Sequence, residues 1–275
     1  MVVRTLSAVV LAPLLIWLLL AGPRMWFFVV LLVASGVLLW EWLRLKNLFS
    51  YLLMIPLLLA QFLVMYTGYR GYLGWIGLEL VLILLALFAW SLVEYRPGGS
   101  VSDRAGFRFM GVVYCGVPLM LLDGVRAMPH GGALVCLLLF VVWATDTGAY
   151  LVGRKWGTTK LVPAISPGKT WAGFWGGTLA GTAMGWAGMV GFSLPFSWLE
   201  GLVLGGVLSM AGAVGDLVES VLKREAGVKD SSQLIPGHGG LLDRLDSLLF
   251  VAPLFYAYLR VRGSGISMGA WFFGG

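Results

Sequence analysis

Charge is scarce in this chain. Lys, Arg, Asp and Glu make up 12% of its 275 residues, against roughly 25% in soluble domains, which excludes an ordinary water-soluble globular enzyme. Two cysteines are too few for a disulfide scaffold. Cys115 and Cys136 both lie in apolar stretches, where cysteine acts as a small hydrophobe. A Gly-X-Y period is absent, which excludes collagen, and a hydrophobic share of 59% excludes disorder. What the chain has in excess is apolar sequence, with a mean hydropathy of +0.90. That combination defines a polytopic membrane protein.

Apolar runs suited to crossing a bilayer, which takes about 20 residues of helix, fall at about 5–21, 25–43, 49–66, 72–93, 107–122, 131–150, 171–192, 199–222 and 245–260. The expected fold is therefore all-α, a polytopic integral membrane protein of about nine transmembrane helices. Arg4 before the first run and Ala21-Gly22 after it imitate a secretory signal, but with eight further runs behind it this segment reads as a retained first helix. The long connectors, about 94–106, 151–170 and 223–244, are where chemistry outside the helices must sit. Two regions are expected: 1–130, N-terminal helices serving as scaffold and for dimer contacts, and 131–275, a catalytic region.

Cytoplasmic loops retain Lys and Arg. With nine spans, Arg24, Arg70, Arg126, Arg260 and Arg262 fall on one side, and the large majority of the 19 basic residues fall on the other. The N-terminus is thus expected in the cytoplasm. The net charge of +6 reflects this asymmetry and contact with anionic headgroups rather than nucleic acid. The same orientation brings Asp146, Asp216 and Glu219 to the cytoplasmic ends of their spans, and Asp243 and Asp246 to the cytoplasmic start of the last. Carboxylates from three helices converge on one membrane surface. Glu79, mid-span, has no assignment, and His130, between Pro129 and Gly131, reads as a turn residue. Gly173, Gly176, Gly177, Gly181 and Gly185 mark a helix face suited to close packing.

The most informative stretch runs from Ser220 to Asp246. It combines acids, bases, His238 and the turn-forming pairs Pro236-Gly237 and Gly239-Gly240 in a chain otherwise poor in charge. Asp216, just upstream, sits in an apolar helix, where a carboxylate is a functional candidate by default. Asp243 and Asp246 are three apart and share a helical face. Asp216, Asp243 and Asp246 beside Lys223, Arg224, Lys229 and Arg244 suit Mg²⁺ on phosphate oxygens, because magnesium takes a few carboxylates with waters and substrate phosphates. Zinc fits poorly, since a single histidine with hard oxygens and no nearby cysteine is not its usual site.

This stretch resembles the signature of the phosphatidate cytidylyltransferase, or CDP-diacylglycerol synthase, family. The signature asks for Ser220, an apolar residue at 222, Lys223-Arg224, Lys229-Asp230, a small residue at 232, an apolar residue at 235, Pro or Gly at 236, His238-Gly239-Gly240, Asp243-Arg244 and Asp246, and each is met. Upstream, the segment beginning Ser166-Pro167-Gly168-Lys169-Thr170 is similar to a second family segment, departing at Gly168, where a basic residue is usual, and at Ala172, where Glu is usual. Lys169 and Thr170 open a span, and backbone N–H groups at a helix start can meet a phosphate. Asp146-Thr147-Gly148-Ala149-Tyr150 resembles a third segment. The resemblance covers roughly 140–250.

The resemblance implies transfer of a cytidylyl group from CTP to phosphatidate, giving CDP-diacylglycerol and pyrophosphate. It implies metal binding by Asp216, Asp243 and Asp246, with Mg²⁺ as one or two ions or with a second cation. Lys223, Arg224, Lys229, Asp230, His238 and Arg244 are the expected catalytic set. Asp146, Ser166, Lys169, Thr170, Ser220, Gly239 and Gly240 are the expected substrate contacts. CTP is water-soluble and phosphatidate is held in the bilayer, so the site belongs at the cytoplasmic face of an inner or plasma membrane, and the resemblance implies a homodimer. The rivals are a CTP-dependent membrane lipid kinase, separable by release of CDP instead of pyrophosphate, and a transporter, which would place its polar groups near the bilayer midplane.

Overall fold

The computed structural model describes residues 16–234 and 239–263. Residues 16–20 are helical, and the rest of the first apolar run lies outside the described residues. There follow α1 (Arg24–Leu45), α2 (Tyr51–Tyr69), α3 (Leu73–Val93), α4 (Val101–Arg126), α5 (Gly131–Trp156), β1 (Lys160–Val162), β2 (Ser166–Thr170), α6 (Trp171–Gly191), α7 (Trp198–Glu225) and α8 (Leu242–Gly263). Six of these, α1 to α5 and α7, are long and apolar enough to cross a membrane. The protein is a mostly helical, polytopic membrane protein. α6 is diluted by glycine, and α8 carries Asp243, Arg244 and Asp246 at its start and Arg260 and Arg262 in its last turn.

Two departures from the sequence reading have local causes. The connector expected at 151–170 is shorter, because α5 continues to Trp156, with Arg154 and Lys155 in its last turn complementing the negative end of the helix dipole. What remains folds into an antiparallel hairpin of β1 and β2, registered Lys160 to Thr170 and Val162 to Ser166, so the fold is not purely α. α4 likewise starts before its apolar run, since Ser100 Oγ accepts from the Asp103 N–H at 3.1 Å and caps the first turn. α7 begins with a reciprocal box in which Ser197 Oγ accepts from Glu200 N at 3.2 Å and Glu200 Oε2 accepts from Ser197 N at 2.7 Å.

The chain forms two compact units. Among the described residues, the first comprises 16–18, 22–124, 219–234 and 239–245, and the second 19–21, 125–218 and 246–263. In the first unit Trp42 stacks on Phe107 with ring centroids 4.9 Å apart, and its indole N–H donates to the Phe107 carbonyl at 2.9 Å. Arg24 pairs with buried Asp123 at 2.6 Å and donates to the Tyr69 carbonyl. Glu79 accepts from Thr67 Oγ1 at 2.6 Å, so its partner is the neighbouring α2. In the second unit the glycine face of α6 permits close packing as expected. A Cβ on Gly173 would lie 2.8 Å from the Ala149 carbonyl of α5, and one on Gly185 would lie 2.5 Å from the Gly201 carbonyl of α7. Thr145 on α5 donates to Ser209 on α7 at 2.8 Å. His130 takes a left-handed turn conformation, φ 57°, ahead of α5, and both cysteines are buried.

Candidate active site

Close packing of α5, α6 and α7 brings the polar ends of α5 and α7 beside the hairpin and the start of α6. They enclose a cavity of about 630 Å³, lined among others by Asp146, Tyr150, Arg154, Lys160, Lys169 and Asp216. Pockets for small molecules run from roughly 300 to 1,000 Å³. Lys169 projects from β2, and its ammonium lies 2.7 Å from Asp216 Oδ2. Thr170 caps α6, its Oγ1 accepting from Gly173 N at 3.1 Å, while Ser166 starts β2 outside the lining. Gly168 also lines the cavity, and a Cβ there would meet nothing within 4 Å, so this departure from the family segment leaves the wall open.

Asp216 and Asp246, both in the second unit, bring carboxylate oxygens within 4.8 Å of each other. Hard carboxylate oxygens this close repel unless a cation or proton stands among them, and oxygen donors of this kind suit magnesium.

The signature stretch belongs to the first unit, apart from Asp246. Lys223, 13% exposed, joins two carboxylates, with its ammonium 2.6 Å from Glu219 Oε2 and 2.6 Å from Asp243 Oδ1. The other oxygen of Asp243 accepts from Ser231 N, Ser231 Oγ and Gly240 N at 3.0, 3.0 and 2.8 Å. Both oxygens of Asp243 are thus engaged by the protein. Gly239 has φ 78°, and a Cβ there would lie 2.8 Å from Asp243 Oδ2; a Cβ on Gly240 would collide with Ser231 Oγ. The Gly-Gly pair is needed for this turn to close on its aspartate. Arg224 donates to the Val228 carbonyl at 3.3 Å. Lys229, Asp230 and Arg244 are exposed, and Ser220 is half-buried. His238 lies outside the described residues.

Sequence reasoning passed over three of these residues. Lys160 lies in the connector at 151–170, outside the segments whose residues the family resemblance singles out. Ser231 sits inside the signature stretch between the positions that the pattern names. Glu41, on α1, is fully buried and accepts hydrogen bonds from the signature segment; its signal was available, as an acid within an apolar run.

Membrane helices together with a cavity in which Lys169 meets Asp216, beside Lys160 and Arg154, define an integral membrane protein with a charged pocket for a small molecule. The cytidylyltransferase family matches residues 2–262. The phosphatidate cytidylyltransferase of Bacillus subtilis is 34% identical over 267 residues, covering 94% of this chain and 97% of the relative. That of Staphylococcus epidermidis is 35% identical over 262 residues, covering 92% and 97%, and that of Haemophilus influenzae is 34% identical over 286 residues, covering 94% and 98%. The chain belongs to the cytidylyltransferase family.

Proposed function

We propose that this chain is a CTP:phosphatidate cytidylyltransferase, a nucleotidyltransferase of phospholipid synthesis that makes CDP-diacylglycerol and pyrophosphate. The near full-length match to relatives of that name supports the activity. The observation that carries the site is the cavity in which Lys169 meets Asp216. An oxygen of the phosphatidate monoester attacks the α-phosphorus of CTP. The new P–O–P link forms as the bond from that phosphorus to the bridging oxygen breaks, and pyrophosphate carries the electron pair away. The second pKa of a phosphate monoester is about 6, so the nucleophile is largely ionised at neutral pH and needs no strong base.

The obstacle is repulsion between two polyanions, and the chain's cations answer it. Lys169, with Lys160 and Arg154 on the same cavity wall, binds the triphosphate, and Asp146 and Thr170 complete that wall. Lys223, Arg224, Lys229 and Arg244 serve the phosphates from the signature segment, with Ser220, Gly239 and Gly240 shaping their approach and Asp230 and His238 completing the set. Asp216 and Asp246 would hold Mg²⁺, which offsets phosphate charge and favours charge build-up on the leaving oxygen. Asp243, expected as a third ligand, keeps Lys223 in place instead. Lys169 holds Asp216 until the triphosphate arrives and then turns to it.

The site faces the cytoplasm, where CTP is found, in the plasma membrane, as suits the bacterial relatives. The N-terminal helices are scaffold, and the enzyme works as a homodimer. The test is pyrophosphate release by purified, detergent-solubilised protein given CTP, phosphatidate and Mg²⁺, with single omissions and the lipid product followed by mass. Release that needs all three, with CDP-diacylglycerol appearing, is expected. CDP without pyrophosphate would make the protein a lipid kinase, and folded protein without nucleotide turnover would return it to the transporter class.

A further inference from the structure

Glu41 lies in α1, far in sequence from the signature segment, and its side chain is fully buried. A carboxylate removed from water must be satisfied by the protein. Here Oε1 accepts from Ser232 Oγ at 2.5 Å and Leu241 N at 2.9 Å, and Oε2 accepts from Ser231 Oγ at 3.2 Å and Leu242 N at 2.7 Å. All four acceptor positions of an ionised carboxylate are in use. Two donors are backbone N–H groups at the start of α8, groups that have no partner within their own helix and that favour a negative charge. The other two are consecutive serines at the opposite end of the turn. One side chain therefore clamps both ends of the segment that separates Lys229-Asp230 from Asp243.

We infer that Glu41 is a positioning residue for cytidylyl transfer: its carboxylate pins Ser231 and Ser232 to the start of α8 and so fixes Asp243, and through it Lys223, where the phosphates are handled. The Asp243 contacts run through the same Ser231 that Glu41 holds, so releasing Glu41 frees the aspartate's partner as well. A glutamine cannot substitute, because its single carbonyl oxygen replaces two acceptor oxygens and its NH₂ group would face a backbone N–H donor and a serine hydroxyl that now donates. An aspartate keeps the charge and the four acceptor positions on a shorter stem.

The inference rests on the proposed reaction for its activity readout, and amide exchange, which needs no substrate, separates the two. Purified full-length Glu41→Gln and Glu41→Asp are compared with the parent by hydrogen–deuterium exchange and by turnover. In Glu41→Gln, exchange across 228–242 is expected to rise about ten-fold or more while α2 keeps its protection, and turnover is expected to fall by about ten-fold or more, as loss of charge-assisted hydrogen bonds implies. Glu41→Asp should recover turnover to about five-fold above Glu41→Gln or better. Exchange that rises equally in α2, turnover within about two-fold of the parent, or no recovery in Glu41→Asp would overturn the assignment. If Glu41→Gln fails to fold, Ser232→Ala, which removes one donor from the clamp, should still raise exchange across 228–242; parental exchange in that variant would overturn it too. A parent protein that turns over no CTP would refute the proposed reaction, while the exchange data would still decide whether Glu41 holds the segment.

Discussion

Lys223→Met removes one ammonium while keeping most of the side chain's length and apolar stem. Glu219 and Asp243, whose side chains are 1% and 10% exposed, then lose their shared cation. Asp243 retains its hydrogen bonds from Ser231 and Gly240, so the greater burden falls on Glu219. Removing one partner of a buried ion pair costs roughly 3–5 kcal/mol, whereas an exposed pair is worth about 0–1 kcal/mol. Burial places this lysine in the first class. Denaturant unfolding in detergent, followed by the fluorescence of the 13 tryptophans, should therefore show a loss of about 3–5 kcal/mol. Neutralising the stranded acid, with Glu219→Gln added to Lys223→Met, should recover about 1–3 kcal/mol, and the full double-mutant cycle isolates the coupling. A single variant within about 1 kcal/mol of the parent, the range of an exposed pair, would refute the reasoning.

Asp246→Asn keeps the shape of the side chain and removes its charge; turnover should disappear while the protein remains folded in detergent, and parental turnover would contradict its metal role. Chelation of divalent ions should abolish turnover and added Mg²⁺ restore it, as measured by pyrophosphate release before and after dialysis. Lys169→Met should raise the CTP concentration needed for half-maximal rate by about 10-fold or more, the effect of losing a charged hydrogen bond of about 1.5–3 kcal/mol, as steady-state kinetics would show. Gly185→Ala drives a methyl into the backbone of α7, 2.5 Å from the Gly201 carbonyl; overpacking of this kind costs about 1–3 kcal/mol, measurable by the same unfolding titration.

Much of the site was legible because its residues lie close together in the chain. Lys223, Lys229, Gly239, Gly240 and Asp243 form one continuous pattern, and the glycines that let Asp243 be wrapped are visible as a pair. Asp216 stood out as an acid in an apolar helix. The pairing was not legible. The hairpin delivers Lys169 to Asp216, and Lys223 goes to Glu219 and Asp243. The hairpin itself escaped notice because three- and five-residue strands leave too short a periodic signal to compete with a loop reading.

The amino-acid sequence by itself determined that the chain enters a membrane, roughly where its helices run, and which short segments carry polar chemistry, because hydropathy and local spacing are properties of neighbouring residues. Only the tertiary structure decided which carboxylates share a cation, which lysine meets Asp216, and that Glu41 holds the start of α8 from a position 201 residues away. Such pairings depend on how helices pack, and in this chain the packing is set by glycine faces and buried hydrogen bonds that join segments with no fixed spacing in the sequence.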